Sequence, residues 1–276
     1  MRGELAKDMR EDLVLWLALP AKMVAAAAFV LLATAVAESA GPLLGAMVAT
    51  LPLSAGPAYV FVALDHPPAF IAASALSSLV ANAATIVFCA VHAAVAQARG
   101  TAVSLAAGLG AWAVSIAAFE GPGWTLPGAV LLNVVALALC APAAWRFRGA
   151  AMPRLRRRWY DAPLRAGMVA ALVATVVTAS ATLGPAVTGI LALFPIVLTS
   201  LVLLLQPRAG GPAVAAVTAN AIPGLGGFAA ALVMLHVAAP ALGSPVALAL
   251  ALAVSIAWNL AILWLRRRKP APAPAA

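Results

Sequence analysis

The sequence predicts an all-α, polytopic transmembrane helix bundle of about nine spans. Three observations predict it: the scarcity of charge, the length and continuity of the apolar runs, and the placement of the basic residues. Apolar residues make up 65% of the 276-residue chain and charged residues 9%, against roughly 45–50% and about 25% in soluble domains. Eight acidic and seventeen basic side chains cannot cover the surface of a soluble protein of this length, so most of that surface must face lipid. The apolar runs are continuous instead of alternating, which does not fit a membrane barrel.

The elements follow in order. Residues 1–19 place Arg2, Glu4, Lys7, Asp8, Arg10, Glu11 and Asp12 ahead of the apolar run from Leu13 to Leu17. That pattern predicts a short helix lying at the interface, with Trp16 at headgroup depth; the alternative is an extension of the first span, interrupted at Pro20. A span needs about 20 apolar residues, and nine stretches qualify: 21–38, 42–64, 69–97, 101–119, 125–145, 166–182, 185–206, 212–239 and 244–265. Turn and charge signals separate them, among them Gly41-Pro42, Asp65-His66-Pro67-Pro68, Arg99-Gly100, Gly184-Pro185 and Gly210-Gly211. The tail from Pro270 alternates Pro and Ala and predicts an unfolded or polyproline-like end. No cleavable signal peptide is expected.

The net charge of +9 does not point to nucleic acid, because no aromatic-interleaved basic surface accompanies it. The basic residues gather in a central loop (Arg146, Arg148, Arg154, Arg156, Arg157, Arg158, Arg165) and at the C-terminus (Arg266, Arg267, Arg268, Lys269). Such clusters orient a protein in a membrane and meet anionic lipid headgroups. With both clusters in the cytoplasm, nine spans put the N-terminus outside, thirteen Lys/Arg inside and four outside (Arg2, Lys7, Arg10, Lys22). The rival topology has an inside N-terminus and one segment before residue 146 that does not cross.

The chain also matches itself. At an offset of 143, Pro20 meets Pro163, Lys22 meets Arg165, Gly41-Pro42 meets Gly184-Pro185 and Pro52 meets Pro195, without a gap over 33 positions. Each unit holds four spans and a single span lies between them, so the second unit enters the membrane from the opposite side. The domain organisation expected is an interfacial helix over 1–19, a four-span repeat over 20–119, a linking span with a basic loop over 120–162, an inverted four-span repeat over 163–265, and a basic, Pro/Ala-rich tail over 266–276. Inverted repeats are the architecture of many secondary transporters, with the site at the repeat interface.

The repeated element runs Gly41-Pro42-Leu43-Leu44-Gly45-Ala46-Met47-Val48-Ala49-Thr50-Leu51-Pro52-Leu53-Ser54, echoed by Leu193-Phe194-Pro195 and Thr199-Ser200. It resembles the signature of small four-helix bacterial inner-membrane proteins of the GlpM-like type, in which a glycine turn leads into a helix with a central Leu-Pro or Phe-Pro followed by a small hydroxyl residue. The resemblance covers about two spans in each half. It implies two fused copies of such a protein and a bacterial inner-membrane location.

Candidate site residues follow from depth and repetition. Pro52 and Pro195 fall mid-span, and each frees the carbonyl four residues back, at Val48 and Leu191. In hydrocarbon a freed carbonyl needs a partner. The functional reading is a pair of kinked helices lining a path with Thr50, Ser54, Thr199 and Ser200; the structural reading is kinks used for packing. Asn82 and Asn220 each sit in Ala-Asn-Ala, offset by 138 instead of 143. The stretch Pro223–Gly227 predicts an interrupted helix. Gly41 with Gly45, and Gly184 with Thr188, predict close helix contacts. His92 and His236, near span ends, read as interfacial or packing residues. Cys89 and Cys140 read as buried hydrophobes.

No charged residue falls mid-span, and no nucleophilic triad, phosphate loop or metal spacing occurs. The expectation is a non-enzyme without a cofactor: a secondary transporter or exporter of a small neutral or amphipathic solute, or a non-transporting scaffold, envelope-biogenesis factor or complex subunit.

Overall fold

The computed structural model describes residues 20–29, 31–32, 55–119, 123–153 and 158–268. The interfacial segment 1–19, Thr50, Pro52, Ser54 with the rest of the first repeated element, and the tail from Lys269 lie outside them. Ten helices occur among the described residues. They are α1 (Pro20–Phe29), α2 (Ala55–Asp65), α3 (Pro68–Val95), α4 (Thr101–Phe119), α5 (Leu126–Trp145), α6 (Asp161–Thr182), α7 (Gly184–Ala192), α8 (Ile196–Ala209), α9 (Gly211–Leu242) and α10 (Ser244–Arg268). Seven stretches are long and apolar enough to cross a bilayer, with α7 and α8 counting as one. They coincide with the last seven predicted spans, and the chain is a helical membrane protein.

Local chemistry sets the boundaries. Pro67 is extended and Pro68 opens α3, where its missing N–H costs nothing. Thr125 accepts the Gly128 N–H at the start of α5. Gly210 and Gly243 have φ of 85° and 81° with ψ near 158°, a region open essentially to glycine alone. Each therefore reverses the chain between two long helices within one residue.

The molecule is organised around α3, the most buried span. It packs lengthwise against α9 and is flanked by α4, α5 and α7. The α3–α9 contacts run antiparallel. His236 Nδ1 lies 2.8 Å from the Ala72 carbonyl, Asn82 Nδ2 donates to the Leu225 carbonyl at 3.1 Å, and His92 Nδ1 lies 3.1 Å from Thr218 Oγ1. Small side chains carry the crossing: Ala75, Ala81, Ala84, Ala215 and Ala219 are fully buried. On the flanks, α4 lies on α3 where Gly108 admits the Phe88 ring, and α10 lies on α9 where Gly226 and Gly227 admit Trp258.

The contacts sort helix ends onto two faces. One face carries Arg99, Arg146, Arg148, Arg158, Arg165 and Arg208. There Arg208 pairs with Asp161 at 2.9 Å, joining α8 to α6, and Arg148 Nε donates to the Ala219 carbonyl of α9 at 3.2 Å. The opposite face carries the Lys22–Asp65 ion pair between α1 and α2, and a 2.9 Å contact of His66 Nε2 with Ser180 Oγ. Among the described residues, Lys22 is the one Lys or Arg on that face.

Three expectations are corrected. First, α9 is not interrupted at Pro223–Gly227; it runs unbroken for 32 residues. Arg148 takes up the Ala219 carbonyl that Pro223 frees, Trp258 Nε1 donates to the Pro223 carbonyl at 3.0 Å, and the glycines serve as a seat for the Trp258 ring. Second, Pro195 ends a helix instead of kinking one: α7 stops at Ala192 and α8 starts at Ile196. The Leu191 carbonyl is not free, because the Phe194 N–H reaches it at 3.0 Å in a tightened last turn. Third, Gly184 is the turn residue, with φ 75°, and its Cβ position is open. The close approach on α7 is made by Gly189, set against the Ser74 carbonyl.

The helix boundaries keep the offset of 143. α3 begins at Pro68 and α9 at Gly211; α4 begins at Thr101 and α10 at Ser244. Asp65 ends α2 in an ion pair with the first turn of α1, and Arg208, 143 residues on, ends α8 in an ion pair with the first turn of α6. Asn82 and Leu225, themselves 143 apart, touch at the crossing.

Candidate functional site

Three features stand out along the α3–α9 axis. The first is a polar node at the crossing. Asn82 is fully buried; its Nδ2 donates to Asn133 Oδ1 on α5 at 2.8 Å as well as to the Leu225 carbonyl. Asn133 returns a bond to the Leu79 carbonyl at 2.7 Å and one to its own Ala129 carbonyl at 2.9 Å. Two amides thus fasten three helices at the middle of the bundle.

The second feature is a buried cluster near the basic face. His92 Nε2 lies 3.1 Å from Gln206 Oε1, His92 Nδ1 3.1 Å from Thr218 Oγ1, and Gln206 Nε2 2.9 Å from Ser104 Oγ. Gln206 Nε2 also reaches the Arg99 carbonyl at 3.5 Å. His92, Ser104 and Thr218 are fully buried and Gln206 nearly so. The set ties α3 and α4 to α8 and α9. His92 is therefore a core residue, not an interfacial one.

The third feature is a cleft of about 460 Å³ near the opposite face, between α1, α2, α9 and α10. Its walls include Phe29, Tyr59, Phe228, Leu232 and Leu248, and it is almost entirely apolar. Gly56 faces it with open space where a Cβ would stand. Phe29, Val60 and Leu252 are half-exposed at its rim. Its upper reach, at Phe228, lies one helical turn from Leu225 at the crossing.

The positions 143 residues from this lining are filled in the other half. Ala231, Leu235 and Ala251 line the cleft; their counterparts are Phe88, His92 and Gly108. Phe88 is fully buried against Gly108, with 2.9 Å between its ring and a Cβ built there, and His92 belongs to the polar cluster. Among the described residues, the two halves thus enclose a cleft on one side, where these counterpart positions on the other side are close-packed.

The predicted site residues scatter. Asn82 sits at the crossing, while Asn220 bonds the Arg148 carbonyl at 3.3 Å near the basic face, so the two amides are not brought together. Pro195 lies at the α7–α8 break. Thr199 and Ser200 follow it, both buried; Ser200 bonds the Val197 carbonyl of its own helix at 2.7 Å, and Thr199 Oγ1 has no hydrogen-bond partner among the described residues. None of these five lines the cleft, but Gly56 and Pro57, the counterparts of Thr199 and Ser200, do. Asn133, Gln206, Ser104 and Thr218 were not singled out from sequence. Asn133 carried a signal, as the lone amide in an otherwise apolar span. The other three had none, because which face a Ser, Thr or Gln presents in such a chain is not written in its neighbours.

Comparison with protein-family models, with curated proteins and with solved structures finds no match to this chain.

Proposed function

We propose that this protein is a small secondary transporter or exporter of a neutral or amphipathic solute, built from two inverted four-span repeats joined by α5. The reading rests on the shared offset of the helix boundaries and on the antiparallel course of α3 and α9. The observation that carries it is the one-sided cleft. Among the described residues, an apolar space stands between the halves on one side of the crossing, and its counterpart on the other side is packed. Alternating access is largely the rocking of one repeat against the other about a fixed site, and an asymmetric pair of this kind is one end state of that motion.

The lining carries no charge at mid-depth, which suits an uncharged or amphipathic solute over an ion. In the opposite state the solute would meet the counterpart region, where Pro195, Thr199 and Ser200 replace the first repeat's Pro52, Gly56 and Pro57. The unpartnered Thr199 hydroxyl is then a ready hydrogen-bonding group. Thr50, Ser54, Asn82 and Asn220 remain candidates for uncharged polar contacts along the path. The positive-inside distribution assigns the basic face and the C-terminus to the cytoplasm and meets anionic lipid there; the GlpM-like resemblance assigns a bacterial inner membrane. On this reading the chain performs no covalent chemistry and uses no cofactor.

A specific observation favours the alternative of a scaffold or complex subunit: the crossing itself is closely packed by alanine. Flux into proteoliposomes decides between the two. A panel of small neutral and amphipathic metabolites should include one that the protein carries above empty vesicles, with the rate lowered by Gly56→Leu, which fills the cleft without a backbone clash. Retention of every solute by well-folded, correctly inserted protein favours the scaffold.

A further inference from the structure

We propose that His92, Gln206, Ser104 and Thr218 form a gate that holds the basic-face side of the molecule shut. The inference rests on the transport reading above and deepens it by naming the contacts that must break for the other state to form. It begins from where the four side chains sit. His92 and Ser104 belong to α3 and α4 of the first half; Gln206 and Thr218 belong to α8 and α9 of the second. Among the described residues, apart from the Gln206–Arg99 bond, the hydrogen bonds between members of the cluster and residues on other helices join the four to one another across that boundary.

The counterparts of the four are Leu235, Ala63, Ala247 and Ala75, all apolar. Of these, Leu235 lines the cleft, and Ala75 and Ala247 are fully buried. A repeat that differs at all four members of one contact set is asymmetric by sequence. On the basic side, polar groups in a nonpolar surrounding satisfy one another and resist separation, since parting them leaves each without a partner in a water-poor interior. On the opposite side the four counterparts offer no polar group, and the side-chain bonds between the halves lie elsewhere, at His66–Ser180 and at His236 with the Ala72 carbonyl. Within the first half, the Phe88 ring is seated on Gly108, where any larger residue would collide, and fills the space beside the cluster.

Two hydrogen bonds in the set are shared. Gln206 Oε1 receives contacts from both His92 and Ser104, so Gln206 is the hub. Removing its amide releases both halves at once. Replacing Thr218 frees only the Nδ1 end of His92. The gate therefore predicts a graded response, Gln206→Ala first and Thr218→Val second.

The test is a pair of spin-label distances in the full-length protein, reconstituted in lipid with Cys89 and Cys140 replaced by alanine. One pair, Val60→Cys with Leu252→Cys, spans the rim of the cleft. The other, Leu203→Cys with Leu109→Cys, occupies the equivalent positions beside the gate. In Gln206→Ala the Leu109–Leu203 distance should lengthen and the Val60–Leu252 distance should shorten, each by more than the width of its own distribution; Thr218→Val should shift both in the same directions by less. Reciprocity is the decisive readout, because loss of a merely structural contact loosens one side and leaves the other alone. Lengthening at 109–203 with no change at 60–252 overturns the gate, as does no change at either pair in Gln206→Ala or, should that variant not fold, in Thr218→Val and Ser104→Ala. Reciprocal shifts in a protein that carries no solute of the panel would keep the gate and sink the transport reading; solute flux without reciprocal shifts would do the reverse.

Discussion

Replacing Asn133 by leucine should destabilise the bundle by about 1–3 kcal/mol, and replacing Asn82 at the same time should recover part of that loss. The leucine is close to asparagine in volume, so packing changes little and the effect isolates hydrogen bonding. Asn133→Leu removes two interhelical bonds, the 2.8 Å bond from Asn82 and the 2.7 Å bond to the Leu79 carbonyl. Interhelical bonds inside membranes average about 0.6 kcal/mol and reach about 1.7 kcal/mol, which gives the stated range. The single variant also leaves the buried Asn82 amide with the Leu225 carbonyl alone. In the double variant Asn82→Leu, Asn133→Leu no amide is left without its partner, and apolar replacement of both members of a pair is nearly neutral. The assay is a double-mutant cycle on thermal or denaturant unfolding in detergent micelles. A coupling energy of about 0.6–1.7 kcal/mol is expected. Additivity within about 0.3–0.5 kcal/mol would mean that the two amides do not bond, and the node as the fastening point of α3, α5 and α9 would be wrong.

Two further outcomes are specific. Gly189→Ala sets a methyl against the Ser74 carbonyl oxygen, backbone that cannot swing aside; it should lower stability by about 1–3 kcal/mol in the same unfolding assay, whereas Gly167→Ala, with open space at its Cβ position, should raise it by roughly 0.4–1 kcal/mol. Reporter fusions at residues 1, 155 and 276 should read outside, inside and inside; a cytoplasmic N-terminus would remove the nine-span, inverted arrangement.

Much of the fold was legible because the signals that set it are local. Continuous apolar runs fix the spans, and Pro67-Pro68, Gly210 and Gly243 fix where they turn. The offset of 143 could be read from Pro20, Lys22, Gly41 and Pro52, and the helix starts at Pro68, Thr101, Gly211 and Ser244 keep it. What failed to read were places where a tertiary partner overrides local propensity. Pro223 with its glycines weakens a helix on paper, yet Arg148 and Trp258 supply what the backbone lacks. Pro195 weakens a helix in the same way, and there the chain breaks: it tightens its own last turn, and Thr85 Oγ1 of α3 donates to the Leu193 carbonyl at 3.4 Å. The candidate site was the least legible part. Its polar members are single Ser, Thr, Asn and Gln residues in a chain rich in alanine, and their meaning lies in which helix each one faces.

The helix boundaries of the two halves keep one offset, and a few of the side-chain differences on that offset run in one direction. Where the first half's α3 and α4 place Phe88, His92 and Gly108, the second half's α9 and α10 place Ala231, Leu235 and Ala251. Phenylalanine for alanine fills the space, glycine for alanine lets the filling ring approach, and histidine for leucine adds two hydrogen-bonding atoms that find Gln206 and Thr218. Each exchange alone would leave a void or an orphaned polar group: Phe88 without Gly108 collides, and His92 without Gln206 loses a partner inside the bundle. They make sense only together, as one closed side. On the transport reading proposed above, these exchanges favour the state in which the cleft is open, and a variant that shifts the balance is expected to act on the same residues.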